Sequence, residues 1–210
     1  MTTETRVPLG EQLANYVAKK ARELQSAYRR DDSAAVAALA ILRRGVAQPL
    51  GQDARLVGLT VGGLRANPNG LPDEPLPDEQ AAYAALTLFA LHQQGHRDQD
   101  MHRAGYPFGR SARLLGRKSG SEDAVRRRFT AVATATSWDE TVHHARGLIM
   151  QFRAQQIPLD YGQFARDLFG LQNPRYAERV RLSWGRHFYR VNHPDDDAPS
   201  ETNDTEPETD

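Results

Sequence analysis

The stretch SGSEDAVRRRFTAVATATSWDETVHHARGLIMQFRAQ, residues 119–155, decides the fold. Its apolar residues recur at three- and four-residue spacing, and nothing in it alternates at period two. On a helix of about 100° per residue, Val125, Phe129, Val132 and Thr136 fall within about 60° of one another and form one buried face. Val142, Ala145, Ile149 and Phe152 form a second. Ser119 with Glu122, and Ser137 with Glu140, place a capping-box pattern ahead of each stripe. Two successive amphipathic helices are expected, one to about Thr136 and one to about Gln155.

The same period extends outward in both directions, so the fold class is all-α, with about eight helices. Upstream, a helix is expected near Glu11–Arg30, with Leu13, Tyr16, Val17, Leu24 and Tyr28 as its stripe. A second is expected near Asp32–Arg44, stopped by Gly45, and a shorter one near Asp53–Arg65. Four prolines and Gly70 make 67–77 a loop. Asp78 then caps an Ala- and Leu-rich helix to about Gln94. The polar segment Gly95–Gly105 reads as loop, and Phe108–Arg117 as a short helix. Asp160 with Gln163 opens another, and Asn173-Pro174 starts the last, which runs to about Arg190. Its stripe is Tyr176, Val180, Trp184 and Phe188. The domain reading is a helical body over 10–192, with a subdivision into two packed bundles placed near 95–106. An acidic tail over 193–210 is expected to be disordered.

The formal net charge of zero conceals a strong asymmetry. Residues 193–210 hold eight acidic side chains and no Lys or Arg. Residues 1–100 hold 11 basic and 12 acidic residues, whereas 101–192 hold 16 basic and 7 acidic. A positive field confined to one half calls for an anionic partner, of which a nucleic-acid backbone is the commonest. The basic residues are 24 Arg against 3 Lys, and Arg makes planar bidentate contacts with phosphate. Arginine codons in a GC-rich genome account for the same bias without function.

Helical projection assigns the arginines to sides. Arg126 and Arg128 flank the buried face of their helix and Arg127 lies opposite it, so the triplet wraps the outward surface. Arg175, Arg179, Arg186 and Arg190 share a sector beside the last stripe, and Arg146 and Arg153 share one side of their helix. Arg110, Arg113, Arg117 and Lys118 sit on or just after one short helix. Arg43 and Arg44 end another, where cations also complement the helix dipole. Any one such face alone is also what a solvated helix surface looks like.

Other chemistry is excluded by residue type or spacing. Cysteine is absent, so there are no disulfides or thiolate metal sites, and a reducing cytosol fits. Met1–Gly10 lacks the apolar core of a signal peptide. The longest apolar run, near Ala81–Leu91, is about half a membrane span. His92 and His96 have the spacing of a zincin helix, but Gln93 stands where the general base belongs. GRSARLLGRKS (109–119) fails the phosphate-loop spacing, and no strand precedes it. No catalytic residue, metal ligand or cofactor site is assigned.

The serial order of several segments resembles the CasB family, the small subunit of the type I-E CRISPR surveillance complex Cascade. The matching pieces are LAILRRG (39–45), AYAALTLFALHQ (82–93), FGRSARLL (108–115) and VRRRFTAVATA (125–135). VHHARGLIMQF (142–152), LDYGQFARDL (159–168) and VRLSWGRHFY (180–189) follow, closing on Trp184 and Tyr189. The resemblance implies a non-catalytic, cytoplasmic, prokaryotic helical subunit. It implies pairing with a second copy against the crRNA-binding backbone protein, and holding of target DNA, chiefly the displaced strand of the R-loop, with direct contact to crRNA left open. Base pairing by the guide would then read sequence, while the protein holds backbone. The matched basic positions are Arg43, Arg44, Arg110, Arg113, Arg126, Arg127, Arg128 and Arg146; charge and helical spacing add Arg117 and Lys118. The alternative is a protein-interaction adaptor that binds no nucleic acid of its own. A helix-turn-helix regulator is less favoured, because no short base-reading helix follows a tight turn. The acidic tail, tethered near basic faces, is expected to compete with DNA.

Overall fold

The computed structural model describes residues 7–46, 48–65 and 70–190; the acidic segment 193–210 lies outside them. Within the described residues, nine helices follow in chain order and no strand forms. They are α1 (Leu9–Arg29), α2 (Ser33–Gly45), α3 (Ala54–Thr60), α4 (Pro77–Gln93), α5 (Phe108–Ser119), α6 (Glu122–Thr134), α7 (Trp138–Ala154), α8 (Tyr161–Leu171) and α9 (Pro174–Phe188). None of the described helices is long and apolar enough to cross a membrane.

Five of the described helices, α2, α3, α7, α8 and α9, start where a short polar side chain accepts from an open backbone N–H group. Asp32 accepts from Ala35 N at 2.9 Å, Ser137 from Glu140 N at 3.2 Å, Asp160 from Gln163 N at 3.0 Å and Asn173 from Arg175 N at 3.0 Å. Three expected boundary devices work differently. The Ser119–Glu122 capping box does not form: Ser119 closes the last turn of α5, and Gly120, at φ 63, turns the chain before Ser121. Gly45 lies inside α2 rather than beyond it. Asp78 lies inside α4 because Arg65 takes its carboxylate at 2.5–2.6 Å, leaving Glu79 to accept from Leu76 N.

α4 is the centre of the molecule. Every residue from Ala81 to Ala90 is buried, because α1, α2, α3, α7 and α8 pack around it. A second focus of the core is aromatic: Phe108 contacts Phe129, Phe152, Phe164 and Trp184, with ring centroids 4.6–5.9 Å apart. Expected stripes hold with two corrections. Thr136 is exposed beyond the end of α6, and Ala135 is buried in its place; Tyr176 is 45% exposed, while Ala177 and Trp184 face inward.

Two glycines set helix spacing. A Cβ on Gly109 of α5 would stand 2.2 Å from the Trp184 carbonyl of α9, and one on Gly162 of α8 would stand 2.6 Å from the Ala14 carbonyl of α1. The connections are fixed by buried polar bonds. Gln25 of α1 donates to the His102 carbonyl and accepts from its N–H, both at 3.0 Å, and His102 Nδ1 accepts from Tyr161 N at 3.1 Å. Burial without such partners would cost roughly 1–3 kcal/mol per group.

Candidate nucleic-acid interface

α5, α8 and α9 enclose a cleft of about 360 Å³ lined by Arg110, Arg113, Arg166, His187 and Arg190, with Asp160 and Asp167. Gly109 permits the close α5–α9 approach that brings Arg110 and Arg113 to the arginine-bearing end of α9. Arg110 lies over the Tyr106 ring at 4.2 Å and donates to the Gly105 carbonyl at 2.9 Å. Arg113 is only 7% exposed and donates to the Arg190 carbonyl at 3.2 Å, so it fixes the end of α9 as well as lining the cleft.

The two acids are engaged by the protein. Asp160 accepts from Gln163 N and Gly105 N. Asp167 accepts from Trp184 Nε1 and Gln163 Nε2, each at 2.7 Å. Burial pushes the Asp167 carboxyl up to about 6 against the opposing effect of these hydrogen bonds. The cleft therefore carries four arginines against two carboxylates whose oxygens already accept protein hydrogen bonds.

The remaining candidates lie on other faces. Arg126, Arg127 and Arg128 of α6 are all exposed, flanking or opposing the buried Val125 and Phe129. Arg126 pairs with Asp123 at 2.7 Å, while Arg127 and Arg128 make no ion pair among the described residues. Arg117 and Lys118, exposed at the end of α5, border a shallow depression with Tyr106 and Pro158, and Lys118 donates to the Gln155 carbonyl.

Arg146 lines a separate groove of about 600 Å³ between the end of α2, α4 and α7, beside Val46, Tyr83 and Trp138. Arg44 is exposed and Arg43 half-buried in the last turn of α2, just before that groove. Thus Arg110 and Arg113 share the cleft, Arg146 lines a different groove, and Arg43 and Arg44 line neither.

Arg166 and His187 were not among the sequence candidates, and Arg190 appeared only in the α9 sector. Arg166 was legible from periodicity: Tyr161, Phe164, Ala165 and Leu168 are buried on α8, and Arg166 points away from them. The histidines do not converge. His92 is buried with Nδ1 3.0 Å from the Tyr161 hydroxyl, and burial pushes its ring down to about 3. His96 Nε2 lies 3.1 Å from the Arg153 carbonyl instead. Among the described residues no group of three His, Asp or Glu could hold a metal ion.

Fold and site together define a class: an all-helical protein with ten of its 24 arginines on α5, α6 and α9. The family model of the CRISPR-associated protein Cse2 matches residues 38–189, and the chain belongs to that family. It is similar to the crystal structure of CasB from Thermobifida fusca, with 35% identity and a TM-score of 0.68, over 84% of this chain and 97% of that one. No curated protein matches the sequence. α1 precedes the matched region, yet packs on α8 within it.

Proposed function

We propose that this chain is a non-catalytic small subunit of a type I-E CRISPR Cascade complex in the prokaryotic cytoplasm. Its arginine surfaces hold target DNA, chiefly the displaced strand, and so stabilise the R-loop. Family membership supports the complex. The observation that carries the nucleic-acid reading is the α5–α8–α9 cleft, with the α6 triplet exposed beside the same core. Backbone contacts of this kind bind without reading sequence, as the task requires when a guide RNA supplies specificity.

The test is fluorescence anisotropy of a labelled oligo-dT strand and of a duplex at low and at physiological salt. Affinity should fall with salt at a slope of about −0.7 per contacted phosphate on the single strand. Unchanged oligo-dT affinity after joint replacement of Arg126, Arg127 and Arg128 by Glu, with helicity intact, overturns the reading for that face.

A second reading is an adaptor that meets neighbouring subunits only, including the crRNA-binding backbone protein and a second copy of itself. Exposed apolar residues on and just beyond α9 favour it: Leu182 is 54% and Tyr189 63% exposed among the arginines. It predicts no binding of either probe at low salt alongside intact assembly.

A further inference from the structure

We propose that the α5–α8–α9 cleft is also a seat for an acidic peptide, supplied by residues 195–210 of the same chain, and that this segment competes there with nucleic acid. The competition rests on the reading that nucleic acid enters the cleft; the peptide seat does not. Three observations carry it.

Arg190, which lines the cleft, is joined in sequence to the acidic segment within five residues. Asp195, Asp196 and Asp197 follow within seven residues, and Glu201, Asp204, Glu206, Glu208 and Asp210 lie beyond. Five residues reach at most about 18 Å, so the first acids cannot stray far from the cleft mouth.

The charge is complementary. Four arginines and His187 face two carboxylates, and those two already accept hydrogen bonds from Trp184, Gln163 and Gly105. An incoming carboxylate meets guanidinium groups with the same planar geometry that it shares with phosphate. A ligand tethered this closely acts at an effective concentration in the millimolar range, which makes even a weak seat occupied.

The test uses the full chain. The sequence has no cysteine, so Asn203→Cys gives a single attachment point for a nitroxide. At low salt the label should broaden the amide signals of Gly105, Gln163 and Ser183 more than those of α2 and α3, and high salt should abolish the difference. In parallel, replacing all eight acids of 195–210 by Asn or Gln should tighten oligo-dT binding on the order of tenfold.

Absence of selective broadening at the cleft overturns the proposal, even if neutralisation tightens binding, since that gain would then be a general charge effect. Selective broadening with unchanged oligo-dT affinity supports the acidic-peptide seat. It also shows that nucleic acid binds elsewhere, so the two readings fail separately.

Discussion

The indole Nε1 of Trp184 donates to Asp167 Oδ2 across 2.7 Å at the wall of the arginine cleft, joining α9 to α8. The bond anchors the largest fully buried side chain of the described residues to a carboxylate that is itself buried. Asp167→Ala leaves the indole N–H without its acceptor and should cost about 1–3 kcal/mol. Asp167→Asn keeps one acceptor oxygen and should cost less. Urea unfolding of the two variants measures the difference, and equal losses would mean that the Trp184 bond contributes nothing.

The α6 arginines allow a cleaner test of electrostatics than those of the cleft. Arg127 and Arg128 are exposed and pair with no described carboxylate, so replacing them should leave packing intact. The double replacement by Ala should make the salt dependence of oligo-dT binding shallower by about 0.7 per lost phosphate contact. The melting temperature should stay the same.

Acid should weaken the fold through His92. Its folded-state pKa is pushed down to about 3 from 6.5, so the unfolded chain takes up a proton there first. That contribution is complete above pH 6.5 and is lost progressively as pH falls toward 3. Asp167 works in the opposite direction: its folded value is raised from 3.8 to about 6, so its contribution is present below pH 3.8 and lost as pH rises through 6. Burial holds His102 below its ordinary value as well, so two histidines oppose one carboxyl and the urea midpoint should fall between pH 6.5 and 4. Replacing His92 by Gln should flatten that fall, and replacing Asp167 by Asn should steepen it.

Glycine replacements separate close packing from backbone freedom. Gly109→Ala drives a Cβ to 2.2 Å from the Trp184 carbonyl, and overpacking of this kind costs about 1–3 kcal/mol or more. Gly147→Ala, in an exposed turn of α7 with open space around the new Cβ, should stabilise by about 0.5–1 kcal/mol. Opposite shifts in melting temperature are expected for the two.

The helical order was legible because apolar periodicity survives in nearly every segment. What misled was local chemistry with two uses. Gly45 looks like a helix stop, but it is small because a Cβ there would meet Leu56, Tyr83 and Thr87 at 2.9–3.0 Å. Asp78 looks like a cap, but the fold brings Arg65 to it. The outward face of Arg126–Arg128 follows from its own helix and was readable. The cleft was not, because it joins Arg110 of α5, Arg166 of α8 and Arg190 just beyond α9, and no single period says which faces will meet. Arg113 shows the same limit: its spacing from Arg110 and Arg117 suggests a surface stripe, yet in the fold it is almost fully covered.

The packing of α1 on α8 joins the first helix of the chain to the eighth. A helix at residues 9–29 leaves the ribosome long before one at 161–171, and until then Leu13 and Val17 lack part of their cover. Long-range closure of this kind is slow, and it exposes apolar surface during synthesis. The helix made first is therefore among the last to settle, and the chain depends on its final third to shelter its beginning.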